Sequence, residues 1–168
     1  GAHVCTPEQG ELLTRYVYPH AGFNAKVVGR DASVIAQAAG FAADPDCRTL
    51  VCAFAASEAH PMLKEKLSPV LGVVCVSDMD DAIDVARWML QRGGAGHTAG
   101  IHSTCERQAV YWAAALDYYR VVVNGVTTNG ATGTDTGLPY TFTVGTGYAG
   151  KSSLGVNMGI EPWLDYKR

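Results

Sequence analysis

The sequence predicts an α/β domain built around a parallel sheet. Two continuous apolar segments, Arg48–Ala55 and Val70–Val76, are strand candidates, and an amphipathic helical segment follows the second of them. Continuous rather than alternating apolarity is typical of strands covered on both faces, as in parallel sheets. Two shorter strand candidates, Thr98–His102 and Arg120–Asn124, flank another helical segment. The order strand–helix–strand–helix–strand therefore predicts two successive βαβ units.

Two helices are predicted ahead of the first long strand. Thr6 caps the first helix, Gln9 completes a capping box with it, and Pro19 stops it. Asp31 starts the second helix, and Gly40 is its expected C-terminal cap. The residues expected to face the core are Leu12, Leu13, Tyr16 and Val17 in the first helix, and Val34, Ile35, Ala38 and Ala39 in the second.

Two more helices are predicted between the later strands. Ser77 or Asp78 caps the third, which ends at Gly93, and a second capping box at Ser103–Glu106 opens the fourth. The positions expected to face inward are Ala82, Ile83, Ala86, Met89 and Leu90 in the third helix, and Ala109, Val110, Ala113, Ala114 and Leu116 in the fourth.

Composition excludes several classes of protein. The 168 residues are 48% hydrophobic, which supports one domain, or one with an appendage, and excludes a disordered chain. Thirteen basic and sixteen acidic residues give a net charge of −3 without a Lys/Arg cluster, so no nucleic-acid partner is expected. No apolar run exceeds eight residues, against the ~20 needed to span a bilayer. No secretory signal is evident, and a first residue of Gly instead of Met indicates processing or excision.

The five cysteines predict neither a disulfide framework nor a zinc ribbon. Their number is odd and no Cys-x-x-Cys pair occurs. Cys52 and Cys75 lie inside the predicted strands. We therefore expect buried, reduced thiols, as in a cytosolic protein.

The chain changes character after Asn124. Gly125–Pro139 holds four glycines and five threonines without apolar periodicity, and Gly145–Arg168 is also Gly-rich. A fifteen-residue segment without secondary structure is uncommon in a compact domain, and such a segment is usually functional or docked on a partner.

A phosphate-binding motif in the tail is rejected. Gly145–Ser152 fits G-x-x-x-x-G-K-[ST] and contains G-x-G-x-x-G. Phosphate binding requires a helix after the loop, yet two glycines and an asparagine make 153–159 a poor helix. Only sixteen residues follow Ser152, too few for a helix and a strand that carries a magnesium-binding aspartate. A structural glycine turn is the preferred interpretation, and a nucleotide hydrolase is the disfavoured alternative.

Residue chemistry alone identifies no metal site and only weak catalytic candidates. His97 and His102 are five residues apart, which places them on opposite faces of a strand, so no metal is expected there. His97 follows a Gly-rich turn and could transfer protons near neutral pH, although by spacing alone an ordinary loop histidine is the preferred interpretation. Glu65, between two lysines, has by itself the pattern of a solvated charge.

Resemblance to a known family predicts more about the function than residue chemistry does. The chain is similar to the acylating, coenzyme-A-dependent aldehyde dehydrogenases, including the bifunctional aldehyde–alcohol dehydrogenases, which have a very similar Gly-His-Thr stretch. The segments that carry the resemblance are Thr6–Gln9, Val28–Arg30, Lys64–Leu71, Gly93–Ser103, Val122–Asn124, Leu138–Gly147 and Gly159–Arg168.

The resemblance implies a C-terminal piece of a larger enzyme. Residues 1–124 would be a partial, Rossmann-like α/β catalytic domain of the aldehyde dehydrogenase type. Residues 125–168 would supply a substrate-tunnel loop and a Gly-rich oligomerisation arm. The family's nucleophilic cysteine and cofactor domain would precede Gly1, so this chain alone is expected to be inactive and to bind no cofactor.

The implied reaction oxidises an aldehyde with NAD(P) and transfers the acyl group to coenzyme A. A thiolate attacks the aldehyde, hydride passes to the nicotinamide, and the thioester is exchanged onto coenzyme A. Glu65 matches the family glutamate that faces the nicotinamide ribose and the active-site water, and Leu67 matches a position near the nicotinamide. His97 matches a histidine proposed as a proton acceptor, and Phe142 would line the aldehyde pocket.

Two other functions stay open alongside this one. The chain could come from a non-acylating aldehyde dehydrogenase, or it could be a non-catalytic assembly module of the same fold. The expected partners are a small aldehyde, coenzyme A and further copies of the chain, with no membrane. The expected location is the cytoplasm or the interior of a bacterial microcompartment.

Overall fold

The described strands pair in parallel, as predicted, but they form two sheets instead of one, so the βαβ unit predicted from Val70–Val76 to Thr98–His102 does not close within one sheet. The computed structural model describes residues 1–20, 22–57, 59–93, 95–142, 151, 156–160 and 164. These form two units, Gly1–Gly93 and Gly94–Arg168. The functional division predicted after residue 124 concerns a substrate tunnel and an oligomerisation arm, and it stays a prediction.

The sheet of the first unit has three parallel strands in the order β1–β2–β3. Strand β1 is Ala2–Val4, β2 is Thr49–Ala53 and β3 is Val70–Val73. Leu50 of β2 lies opposite Val70 of β3 in the register of the sheet. The parallel pairing confirms the predicted fold class.

Three α-helices accompany this sheet: α1 (Pro7–Val17), α2 (Ala32–Ala39) and α3 (Met79–Gly93). The capping box of α1 forms as predicted. The Gln9 amide donates to Thr6 Oγ1 over 3.3 Å, and the Thr6 amide donates to Gln9 Oε1 over 3.0 Å. Gly40 ends α2 in the left-handed region at φ 100°, which a glycine adopts without steric penalty.

The core of the first unit lies between α1, α2 and the sheet. Its largest fully buried side chains are Leu13, Val17, Val27, Ile35, Leu50, Cys52 and Met62. The predictions for Leu12, Val34 and Ala38 were wrong, because all three are exposed. Met89 of α3 is also exposed, whereas Ile83, Ala86 and Leu90 are buried as predicted.

Burial of the long strands differs from the prediction. In β2 the side chains alternate, with Leu50 and Cys52 buried and their neighbours partly or fully exposed, so only one face is covered. Strand β3 ends at Val73, and Cys75 lies beyond it and is exposed. Cys105 is exposed as well, while Cys5, Cys47 and Cys52 are buried free thiols. Burial, reinforced by Cys52 and Cys47, raises the pKa of Cys5 to about 11.

The second unit contains a parallel pair of strands, β4 (Thr98–Ile101) and β5 (Arg120–Val123), and the helices α4 (Glu106–Ala115) and α5 (Thr127–Thr132). The capping box predicted for α4 was wrong. Cys105 occupies the cap position without a side-chain cap bond, and the Ser103 hydroxyl donates to Gln108 Oε1 instead.

The inward face predicted for α4 was also largely wrong. Ala109 is its buried residue, and Val110 is 63% exposed. The helix presents apolar side chains on more than one side, and periodicity could not tell which side the strands cover.

The segment Gly125–Pro139 is not without secondary structure, because α5 begins two residues into it. Gly133 ends α5 in the left-handed region at φ 88°, and Asn129 and Gly130 supply the carbonyls that its amide reaches. Gly130 packs so close to Val122 that a Cβ there would lie 2.6 Å from a Val122 methyl carbon. The segment is therefore a helix and a turn packed against β5.

Some sequence predictions fall outside the described residues. Of the motif Gly145–Ser152, only Lys151 is described, and most of the tail beyond it is not. Within the described ranges, no helix is both long and apolar enough to cross a membrane. Across the same residues, no group of three or more His, Cys, Asp and Glu side chains is placed to hold a metal ion.

Candidate active site

Glu65 lies on an outward-facing turn of the first unit, between a 3-10 helix (Pro61–Leu63) and β3. Its side chain is exposed, whereas Met62 and Leu63 just before it are buried. The backbone amide of Glu65 faces the end of α3, where a Cβ on Gly93 would lie 3.9 Å away. The turn 64–67 therefore rests on the core while the carboxylate points to solvent.

Two side chains hold the backbone of this turn. The ammonium group of Lys66 donates to the carbonyls of Met62 and Lys64, at 2.8 Å each. The Tyr18 hydroxyl, at the end of α1, donates to the Glu65 carbonyl over 2.5 Å. Burial, followed by the nearby negative charge of Glu65, raises the pKa of Tyr18 to about 12, so the phenol remains a donor at neutral pH.

Leu67 completes the turn in an unusual backbone conformation. Its φ is 45°, in the left-handed region that non-glycine residues rarely adopt. The side chain is 56% exposed, two positions beyond the exposed carboxylate. The turn thus presents an acceptor and an apolar side chain outward, one on each side of the inward-facing Lys66.

His97 lies at the start of β4 in the second unit, as the Gly-rich turn predicted. Its side chain is exposed, and Gly96 before it has a φ of 89°. The backbone of His97 begins the pairing of the two strands, because its carbonyl accepts from the Tyr119 amide over 3.1 Å. The imidazole is therefore presented from a backbone position that the sheet fixes.

Phe142 is 78% exposed and lies at the end of a described segment. The backbone is anchored one residue earlier, where Thr141 donates its amide to Thr132 and its hydroxyl to Met158. A groove of about 830 Å³ in the same unit is lined by other residues, among them His102, Tyr119, Arg120 and Asp135. The groove takes no lining from His97 or Phe142.

The geometry fits the chemistry expected of these side chains. A carboxylate without an ion-pair partner among the described residues can accept hydrogen bonds from vicinal hydroxyls such as those of a ribose, and the adjacent Leu67 offers an apolar contact. An exposed imidazole can accept or donate a proton near neutral pH. Glu65 and Leu67 share one turn of the first unit, whereas His97 and Phe142 belong to the second.

Sequence reasoning missed Lys66 and Tyr18. The alternation of side chains along extended backbone could have indicated Lys66. If Glu65 and Leu67 face solvent, the residue between them faces inward. No local signal could have found Tyr18, which lies 47 residues from Glu65.

Curated relatives cover nearly the whole chain. An aldehyde-alcohol dehydrogenase of Clostridium acetobutylicum is 30% identical over 99% of this chain, which spans 20% of that protein. The acetylating succinate-semialdehyde dehydrogenase of Clostridium kluyveri is 31% identical over 99% of this chain and 37% of its own length. This chain therefore spans between a fifth and somewhat over a third of these relatives. No family model matches it.

Solved structures agree with the sequence relatives. An acetylating aldehyde dehydrogenase from Geobacillus thermoglucosidasius superposes with a TM-score of 0.87 at 31% identity, over 96% of this chain and 36% of that one. A propionaldehyde dehydrogenase from a Clostridium phytofermentans fucose-utilisation microcompartment gives 0.77 at 30%, over 93% and 34%. A Rhodopseudomonas palustris propionaldehyde dehydrogenase with bound propionyl-CoA gives 0.73 at 25%, over 90% and 34%. Along nearly its whole length this chain is therefore similar to acylating aldehyde dehydrogenases, in sequence and in fold.

Proposed function

We propose that this chain is a C-terminal piece of an NAD(P)-dependent enzyme that converts a small aldehyde and coenzyme A into acyl-CoA. The observation that carries the proposal is the similarity to an aldehyde-alcohol dehydrogenase and to an acetylating succinate-semialdehyde dehydrogenase, each along 99% of the chain. Similar structures include an engineered glycolyl-CoA reductase with bound NADP⁺ and a propionaldehyde dehydrogenase with bound propionyl-CoA, which supports both cofactors. A non-acylating dehydrogenase is the second candidate, because an exposed carboxylate such as Glu65 has no chemistry specific to coenzyme A.

Glu65 and Leu67 are assigned to the cofactor. The exposed carboxylate offers acceptor oxygens to ribose hydroxyls, and Leu67 beside it suits an apolar contact with the nicotinamide ring. The nicotinamide supplies the hydride acceptor when it is bound. Because Tyr18 and Lys66 fix the backbone of the turn, the carboxylate would need to order only its own side chain on binding.

His97 and Phe142 are assigned to the aldehyde. An exposed imidazole on a fixed strand end can accept a proton during thiolate formation or acyl transfer. The largely exposed ring of Phe142 would cover the aldehyde's apolar end. We further propose that the intact enzyme is a homo-oligomer, and that it works in the cytoplasm or inside a microcompartment. The similarity to a propionaldehyde dehydrogenase from a Clostridium phytofermentans microcompartment supports the second location.

One assay distinguishes the candidate functions. The intact enzyme that contains this chain is supplied with short-chain aldehydes and NAD⁺ or NADP⁺, with and without coenzyme A. Reduced nicotinamide and acyl thioester are both measured. Thioester formation that depends on coenzyme A is the expected result. Free carboxylic acid formed without coenzyme A would favour the non-acylating enzyme. No turnover with any aldehyde would favour a non-catalytic assembly module.

Replacing Glu65 tests its assigned role in the same assay. Glu65→Gln should raise the KM for the nicotinamide cofactor and slow turnover, because a neutral amide accepts hydrogen bonds more weakly than a carboxylate. The matched control is Glu11→Gln, since the Glu11 side chain is exposed on α1 and pairs with the exposed Arg15. Equal kinetics in the two variants would contradict the assignment of Glu65 to the cofactor.

A further inference from the structure

Lys66 is an inward-facing cation without an ion-pair partner among the described residues. Its ammonium group instead donates to two backbone carbonyls, those of Met62 and Lys64, at 2.8 Å each. These carbonyls belong to the 3-10 helix and to the first residue of the turn 64–67. Hydrogen bonds from a charged donor are shorter and stronger than those between neutral groups. One side chain therefore ties together the two pieces of backbone that lead to Glu65.

Retaining a charge at this position has a cost. Burial lowers the pKa of Lys66, which means that the surroundings disfavour the charged form. An apolar side chain of the same length would fill the space without that penalty, but it could not donate to either carbonyl. A long side chain with hydrogen-bond donors at its end is needed to fix the path of the backbone between residues 62 and 66.

That path determines where the neighbouring side chains point. Lys66 is turned inward, so Glu65 and Leu67 on either side are turned to solvent. The Tyr18 hydroxyl holds the carbonyl of Glu65 from the other side, over 2.5 Å. The carboxylate is therefore mounted on a turn that is anchored both before and after it.

We infer that Lys66 is a positioning residue, which orients Glu65 toward the cofactor by holding the backbone of its turn. The inference rests on the proposed function, in which Glu65 faces the nicotinamide ribose. Lys66 itself touches neither substrate nor cofactor in this role. Its contribution lies in the geometry of a neighbour, and small displacements at a reacting centre can cost large factors in rate.

Hydrogen exchange tests the mechanical part of the inference without any cofactor. The intact wild-type enzyme is compared with two variants. Lys66→Met keeps the length of the side chain and loses its hydrogen-bond donors, and Lys66→Arg keeps both the charge and the donors. The amides of Leu63 and Lys64 donate to His60 and Pro61, and a peptide over 61–68 reports on them. Their exchange should be at least about tenfold faster in Lys66→Met and close to wild type in Lys66→Arg.

Kinetics test the functional part. In Lys66→Met the KM for the nicotinamide cofactor should rise about tenfold, and the KM for coenzyme A should rise less than about twofold. In Lys66→Arg both KM values should stay close to those of the wild type. Lys26→Met is the matched control, because Lys26 is exposed in the same unit and its side chain lies outside the site. It should leave exchange and kinetics unchanged.

The outcomes separate this inference from the proposed function. Wild-type protein without turnover would refute the proposed function. Active wild type together with unchanged cofactor KM in Lys66→Met would overturn the inference, whatever the exchange shows. Unchanged exchange over 61–68 in Lys66→Met would overturn it as well, since the turn would then hold its shape without the ammonium group. Slower turnover with a selective rise in cofactor KM, rescued by arginine, would support it.

Discussion

Replacing Gly130 by alanine should loosen the packing of α5 against β5. The new Cβ would lie 2.6 and 2.7 Å from the two methyl carbons of Val122, and 3.2 Å from its Cβ. Rotation of Val122 cannot clear both methyl groups, because its χ1 is restricted and its Cβ is itself close. Overpacking of this kind costs about 1–3 kcal/mol, offset by up to about 1 kcal/mol from the higher helix propensity of alanine. We expect a net loss of about 1–2 kcal/mol in the free energy of unfolding.

A double-mutant cycle makes this prediction specific. Val122→Ala alone should cost about 2 kcal/mol, since two buried methyl groups are lost. In the Val122→Ala background the clash is gone, so Gly130→Ala should be neutral or slightly stabilising, a coupling of about 1–3 kcal/mol. Urea unfolding followed by circular dichroism measures all four proteins. Gly137→Ala is the control, because nothing lies within 4 Å of the added carbon. Additive effects, or an equal loss in the control, would refute the packing argument.

Three further predictions concern catalysis and pH. His97→Ala should lower kcat at least about a hundredfold, the usual contribution of a general acid–base group. His20→Ala, at an exposed histidine, is the control in the same steady-state assay. A normal kcat with a lower Tm in His97→Ala would contradict the catalytic role. Because the pKa of Cys5 is about 11 in the folded state against an ordinary 9.0, the unfolded thiol ionises first, so the free energy of unfolding should fall between pH 9 and 11. Urea midpoints across that range should decline less in Cys5→Ala, and a decline flattened equally by Cys105→Ala would contradict the assignment. The 168-residue chain alone, given an aldehyde, coenzyme A and NAD⁺, should form no reduced nicotinamide, and turnover abolished by Cys5→Ala would overturn that expectation.

The resemblance to a family predicted roles for Glu65 and His97 that residue chemistry alone did not predict. By spacing and composition alone, Glu65 was a charge between two lysines and His97 a loop histidine. The family motifs implied their roles, and the structure exposes both side chains from anchored backbone. Those roles stay predictions until the variants are measured.

The sequence by itself determined the features that depend on neighbours a few residues away. The capping box between Thr6 and Gln9 and the left-handed end of α2 at Gly40 formed as predicted. Both involve atoms within one helical turn, so local sequence carries all the information that they need. The apolar segments likewise predicted parallel strands, because hydrophobic runs of that length are characteristic of them.

Only the tertiary structure decided which surfaces are covered. Cys75 and Val110 lie in apolar segments yet are exposed, because burial depends on which element packs against a face and periodicity does not name that element. Helix α5, in a Gly- and Thr-rich segment, packs on β5 at a distance that only glycine at position 130 allows beside Val122. The turn that carries Glu65 depends on Tyr18, which lies 47 residues away. A contact over that separation exists only once the chain has folded, so no local pattern could have predicted it.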